Sequence, residues 1–261
     1  MGYVNRAGRM VIDAMFEQAG TFDKENHAIV KAYGQWGVIN KHGRFVINPQ
    51  FDKLDEFSPC GLALVEKNGR YGYIKRDGEY AILPTLYDAT PFAENGLAAV
   101  RAEDGALYGY IDAEGKTVIP AQFERATPFA SNGLAAVAMV EALADGGTAL
   151  SWGFINKHGE FVIAPTFRYA SSFASGLAAV YDGDTFRYID KAGDVAFTVP
   201  ENCIYASAFF DDGYALLYCQ EVSEDGALCY YTQIVDTAGS VIHTQRLSGI
   251  AADTFPHGTF Y

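Results

Sequence analysis

The side chains of this 261-residue chain that could do chemistry are 5 histidines, 4 cysteines and 32 acidic residues. Their spacing decides what chemistry that would be. His42 and His158 occupy the same place in two copies of an Asn-Lys-His-Gly turn, and related turns put Ala7, Asp77, Glu114, Ala192 and Ala238 there. A position that accepts alanine and either acid reads as solvent-facing, not as a metal ligand. No His-Glu-x-x-His, Gly-x-Ser-x-Gly or phosphate-loop pattern occurs, so no metal, cofactor or catalytic centre is expected. Cys60, Cys203, Cys219 and Cys229 show no Cys-x-x-Cys spacing. Cys219 and Cys229 stand symmetrically about Glu224, so a hairpin there would place them face to face. They form a candidate redox pair, either two buried thiols or a reducible cross-strand disulfide. Asp-Gly stretches at 181–186 and 210–215 are too poor in oxygen ligands for a calcium loop and read as turns.

The acids fall into two positional series. Glu17, Asp52, Asp88 and Glu124 each follow an aromatic residue, and Arg168 breaks the series. Structural hydrogen bonds to a neighbouring repeat are the expected role. The second series comprises Glu103, Asp104, Glu141, Asp145, Asp182, Asp184, Glu221, Glu224 and Asp225. These lie in one recurring connection, which is longest at 138–151 and 219–232. Insertions in a repeat array tend to map to one face, often the binding face. They are therefore the candidate partner-binding residues: an acidic face suited to a basic partner or to cations and weakened by salt.

The elements that must carry these residues repeat. A four-residue turn ending in glycine recurs at 5–8, 40–43, 75–78, 112–115, 156–159, 190–193 and 236–239. Each turn lies between two short apolar stretches, which is a hairpin pattern. Its glycine supplies the positive φ of a type I turn plus bulge, and Asn or Asp at its first position can bond back to the turn backbone. After each hairpin come two aromatics, such as Phe51 and Phe57, then a stretch such as Gly-Leu-Ala-Ala-Val at 96–100 and 133–137. The unit is about four short strands joined locally. Approximate units are 1–35, 36–70, 71–107, 108–151, 152–185, 186–231 and 232–261, read as one domain.

The recurring pattern is Trp/Tyr-Gly-x-Ile-Asp/Asn-x-x-Gly-x-x-Val-Ile-x-Pro, then aromatic-acidic, then Phe-x-x-Gly-Leu-Ala-x-Val. It resembles the bacterial WG repeat, or KWG repeat, family over essentially the whole chain. Trp36 and Trp152 keep the tryptophan, Tyr71 and Tyr108 replace it, and Phe186-Arg187 and Thr232-Gln233 replace the Trp-Gly pair altogether. The resemblance implies a binding or scaffolding module, and no settled activity.

The fold class expected is all-β: tandem antiparallel meanders forming a seven-bladed β-propeller closed by both termini. The alternative is an open β-hairpin solenoid. In either, one repeat cannot bury its own face and neighbours must stack. The chain opens at a third strand near residues 2–5 and ends on what reads as a first strand near 249–256 and the start of a second at 258–261. Pairing of the two ends would complete a seventh blade and remove exposed edges.

With 19 basic residues against the 32 acidic ones the net charge is −13, which argues against nucleic acid and anionic membranes as partners. No apolar run is long enough for a membrane span. The opening residues lack a signal peptide's apolar segment, so a cytoplasmic monomer is expected, with surface or secreted placement if the chain is a fragment. The function expected is a non-catalytic scaffold mediating protein–protein or other macromolecular interaction through loops on the acidic face, with a protein or glycan as partner. The alternative is a carbohydrate or cell-envelope module using exposed aromatics. The Trp/Tyr-Gly aromatics fit core packing better than a sugar ladder, because the following glycine permits close backbone approach.

Overall fold

A computed structural model describes residues 1–143, 146–223 and 226–247. The chain divides into two units, 1–121 and 122–261. Among the described residues there is no helix, and every sheet is an antiparallel meander of strands adjacent in sequence. A two-stranded sheet comes first, Tyr3–Val4 with Met10–Ile12. Six four-stranded sheets follow, each in simple sequence order. These seven sheets fit the seven blades expected. The segment 249–261, expected to pair with the first strands, lies outside the described residues.

One sheet shows how the sequence builds the rest. Its strands are Lys53–Leu54, Ala63–Lys67, Arg70–Ile74 and Tyr80–Leu86. The two inner strands are covered on both faces. A strand in that position reads as a continuous apolar run rather than an alternation. Ala63, Leu64 and Val65 are all buried, as are Ala98, Ala99 and Val100 in the next sheet. The fourth strand is an edge and holds the prolines, as expected of a residue that cannot donate to a ladder.

The expected turns form as written. The Asn40 side chain accepts the N–H groups of His42 at 3.0 Å and Arg44 at 3.2 Å, and Asn156 does the same for His158 and Glu160. In the Lys75–Gly78 turn the first residue has no acceptor, and Asp77 takes the N–H of Glu79 instead at 2.9 Å. His42 and His158 are exposed.

The core lies between consecutive sheets. In the first unit Val38, Ile47 and Phe51 of one sheet meet Leu54, Ala63, Val65 and Ile74 of the next. In the second unit Leu134, Ala136 and Phe154 meet Ala170, Val180 and Ile189. A second joint ties the sheets at their turns. A Cβ built on Gly43 would lie 2.9 Å from the Ile12 side chain, and one on Gly239 would lie 2.7 Å from the Phe197 ring. The turn glycine thus serves its own positive φ and also seats the aliphatic or aromatic side chain of the preceding sheet.

The glycine of the Trp-Gly pair has a different task. A Cβ on Gly37 would meet the Ile47 carbonyl oxygen at 2.6 Å and the Pro49 nitrogen at 2.8 Å, in the fourth strand of its own sheet. Across this contact Trp36 pairs with Phe51 but Val38 pairs with Ile47, so the fourth strand bulges around its proline. Gly72 and Gly153 face the same bulge. Arg187 and Gln233 replace this glycine, and there the pairing runs without a shift: Arg187 with Thr198 and Tyr188 with Phe197, Gln233 with Thr244 and Ile234 with His243. Glycine and bulge disappear together. The close approach expected of this glycine is therefore made to its own sheet.

Cys219 and Cys229 do not face each other. Val222 pairs with Leu228, two residues beyond the partner that symmetry about Glu224 requires, so Cys219 faces Tyr231 and Cys229 faces Glu221. On its other side Cys219 pairs with Cys203, and these two form the disulfide, buried in the core of the last sheet. Cys60 and Cys229 are free thiols. Alkylation of the denatured, unreduced chain should label two cysteines, and four after reduction. A loop of this length implies that reduction costs about 3 kcal/mol, read as a drop in the unfolding midpoint of the second unit. Labelling of four cysteines without reductant would show that the pair is not formed.

Candidate functional site

The described candidate residues sit at the connection between the second and third strands of a sheet. In two sheets of the second unit that connection is built out into an arm. Ala135–Ala142 pairs residue for residue with Thr148–Ile155, and Tyr214–Val222 pairs with Leu228–Asp236. Elsewhere the equivalent strands are as short as Ala178–Tyr181 and Phe186–Ile189. The insertions are thus strand extensions rather than loose loops. Residues 140–142, read from sequence as part of an insertion, are regular strand. Both extensions carry exposed aliphatic side chains near their ends: Val140 at 55% exposure, Val222 at 71% and Leu228 at 51%.

Several of the acids have partners. Glu141 accepts a hydrogen bond from the Ser151 hydroxyl across its hairpin at 2.5 Å and one from Arg168 at 3.1 Å. The Ser151 bond, with the Arg168 charge added, holds the Glu141 carboxyl below the usual carboxylate range. Glu221 pairs with Arg246 at 2.7 Å. Asp182 accepts the N–H groups of Thr185 and Asp184 and is bridged by Arg187. Those backbone bonds, with the arginine, hold its carboxyl below the usual carboxylate range against the opposing effect of burial. Glu103 and Asp104 lie exposed on a short turn of the first unit. Asp145, Glu224 and Asp225 lie outside the described residues. Among the described acids of the second unit, Glu141 and Glu221 are thus each braced by an arginine near the ends of the arms and Asp182 by one at a shorter connection, rather than forming a bare negative field. The arginines come from 27 and 25 residues downstream of Glu141 and Glu221, a distance that strand order alone does not reveal.

The other acidic series is structural. Glu17 accepts the N–H of Gly34 at 2.9 Å and Asp52 that of Asn68 at 2.6 Å. The Tyr108 hydroxyl donates to Asp88, which also faces Arg101. Each of these three bonds holds the second-to-third-strand turn, or the third strand, of its own sheet. The sequence led to the expectation of a neighbouring repeat. Trp36 and Trp152 are half-buried against the cores of their sheets, with Trp152 6.4 Å from the Tyr169 ring.

Sheets of four antiparallel strands, stacked through shared cores and carrying no helix among the described residues, define an all-β repeat protein. The sequence match agrees in detail: the model of the WG containing repeat matches residues 1–35, 36–71, 71–105, 108–139 and 152–185. The chain belongs to the WG containing repeat family. No curated protein sequence matches it. Among solved structures, one from a study of two prolyl endopeptidases is similar with a TM-score of 0.53 at 11% identity, over 90% of this chain and 43% of that one. Hsv2p of Kluyveromyces lactis gives 0.47 at 11% identity over 85% and 74%, and apo AztD of Citrobacter koseri gives 0.44 at 11% over 90% and 75%. At these identities the likeness concerns the fold alone. Among the described residues no helix is long and apolar enough to cross a membrane.

Proposed function

We propose that this protein is a non-catalytic scaffold that holds a protein partner through the two arms of its second unit. A repeat β-fold supports a binding role, and the observation that carries the reading is the construction of the arms. Both insertions extend the same pair of strands, and both expose aliphatic side chains beside an acid held by an arginine. An apolar centre rimmed by charged pairs is the usual anatomy of a protein-binding patch. The partner would present an apolar contact with basic groups around it. The exposed acid Asp184 of the same unit would steer its approach and make the association rate fall with salt.

The test is to replace residues 141–149 and 221–229 each by Asn-Gly, which closes Val140 on Leu150 and Gln220 on Tyr230 as two-residue hairpins. Capture of the partner from native extract should be lost, while the melting temperature stays within a few degrees. Exchanging Glu141 and Glu221 for lysine should weaken capture and reduce its salt dependence. Undiminished capture by the shortened protein would remove the arms from the binding surface.

A further inference from the structure

At the position after the Trp-Gly pair stand Tyr3, Tyr73, Tyr110, Phe154 and Tyr188 in five repeats, Val38 in the second and Ile234 in the last; in the first unit only Val38 departs from tyrosine. Where a tyrosine stands there, its ring wedges between sheets and its hydroxyl reaches a main-chain carbonyl of the next sheet. Tyr3 donates to Gly20 at 2.9 Å, Tyr73 to Thr90 at 2.7 Å and Tyr188 to Ser207 at 2.7 Å. The carbonyl at the matching position beside Val38 belongs to Asp55, and Val38 offers it neither ring nor hydroxyl.

Asp55 is itself a departure. Thr90, Thr127, Ser171 and Ser207 stand at its position, and each hydroxyl accepts a backbone N–H of the neighbouring strand at 2.9–3.0 Å. Asp55 makes no such bond. One repeat has thus lost a ring and gained a carboxylate at the same spot. The space left is a cleft of about 470 Å³, floored by Val38 and walled by Trp36 and Phe57. Asp23, Asp55, Glu56 and Arg76 supply its charges. Arg76 lies with its guanidinium 4.6 Å from the Phe57 ring centre and bonds to Asp23 at 2.7 Å. Asp55 and Glu56 form no ion pair among the described residues. Burial pushes the Asp55 carboxyl above its ordinary range, against the pull of Lys53.

We infer that this cleft binds a small organic cation: an ammonium group on an aromatic or aliphatic body. The body takes the volume that a tyrosine ring fills in other repeats, against Trp36 and Phe57. The ammonium pairs with one of the two free carboxylates, Asp55 or Glu56, at the rim. The seat of Arg76 shows the chemistry already at work in the same cleft, a cation over an aromatic face and bonded to a carboxylate. A neutral ligand would gain nothing from either carboxylate.

The test uses the full chain with Trp152→Phe, which leaves Trp36 as the only tryptophan. Phenethylammonium should change Trp36 fluorescence saturably, and 2-phenylethanol at the same concentrations should not. Asp55→Thr restores the residue of other repeats and should weaken binding about tenfold or more. Val38→Tyr restores the missing ring and should abolish binding while keeping or raising the melting temperature. The inference is overturned by any of three results: no saturable change with the amine, unchanged binding in both Asp55→Thr and Val38→Tyr, or equal saturation by 2-phenylethanol or by a neutral methyl glycoside. The last would assign the cleft to an uncharged ligand. The arms lie in the other unit, so their removal leaves this measurement unaffected.

Discussion

Tyr73→Ala should cost about 3–5 kcal/mol of stability, the range for removing a large buried aromatic. The ring is fully buried, lies 4.6 Å from that of Phe92, and joins the core shared by two sheets of the first unit. Its hydroxyl bond to the Thr90 carbonyl makes the wedge specific. Tyr73→Phe keeps the ring and should cost only about 1 kcal/mol, the worth of one hydrogen bond. Tyr188→Ala should behave like Tyr73→Ala in the second unit, because that ring is held between Phe197 at 4.7 Å and Phe209 at 5.0 Å. Urea unfolding of the three variants checks the order. A cost below about 1 kcal/mol for Tyr73→Ala would show that the sheets are not held by these wedges.

Gly153→Ala should be the next most damaging change. The added Cβ would lie 2.7 Å from the Ile163 carbonyl oxygen and 2.8 Å from the backbone of Pro165. Neither neighbour is the end of a flexible side chain, so the bulge itself must open, at about 1–3 kcal/mol. Arg187 occupies the same position of its repeat in regular pairing, so Arg187→Ala loses only its half-exposed ion pair with Asp182, about 0–1 kcal/mol. Thermal melts of the two variants should separate clearly. Equal losses would mean that the bulge is not what requires the glycine.

The repeat and its strand order were legible because each turn is written locally. Glycine, Asn or Asp, and two flanking apolar stretches specify a hairpin without reference to the rest of the chain. The bulge was not legible. Gly37 and Pro49 are visible as letters, but the backbone that each approaches is set by register across the sheet. Register also explains the cysteines: a pairing two residues along set Cys219 opposite Tyr231 instead of Cys229, and the pairing with Cys203 depends on the strand on the other side. The acids were located correctly as a connection. Their charge was overestimated, because Arg168 and Arg246 arrive from later strands. Val38 reads as an ordinary apolar exchange, and its consequence emerges only when the rings of the other repeats are seen to fill the same space.

The joint between sheets consists of an aliphatic or aromatic side chain from one fourth strand and the turn glycine of the next sheet, as in Ile12 with Gly43, Ile47 with Gly78 and Ile163 with Gly193. Both halves are carried in every period of the sequence. An in-frame duplication or deletion of one period, wherever its breakpoints fall, therefore recreates a working joint between whichever sheets become neighbours. The hairpin that forms the arms takes no part in that contact, so its length can drift from copy to copy without disturbing the stack. The fold thus separates a fastening whose two halves span neighbouring sheets from a hairpin whose length that fastening does not constrain.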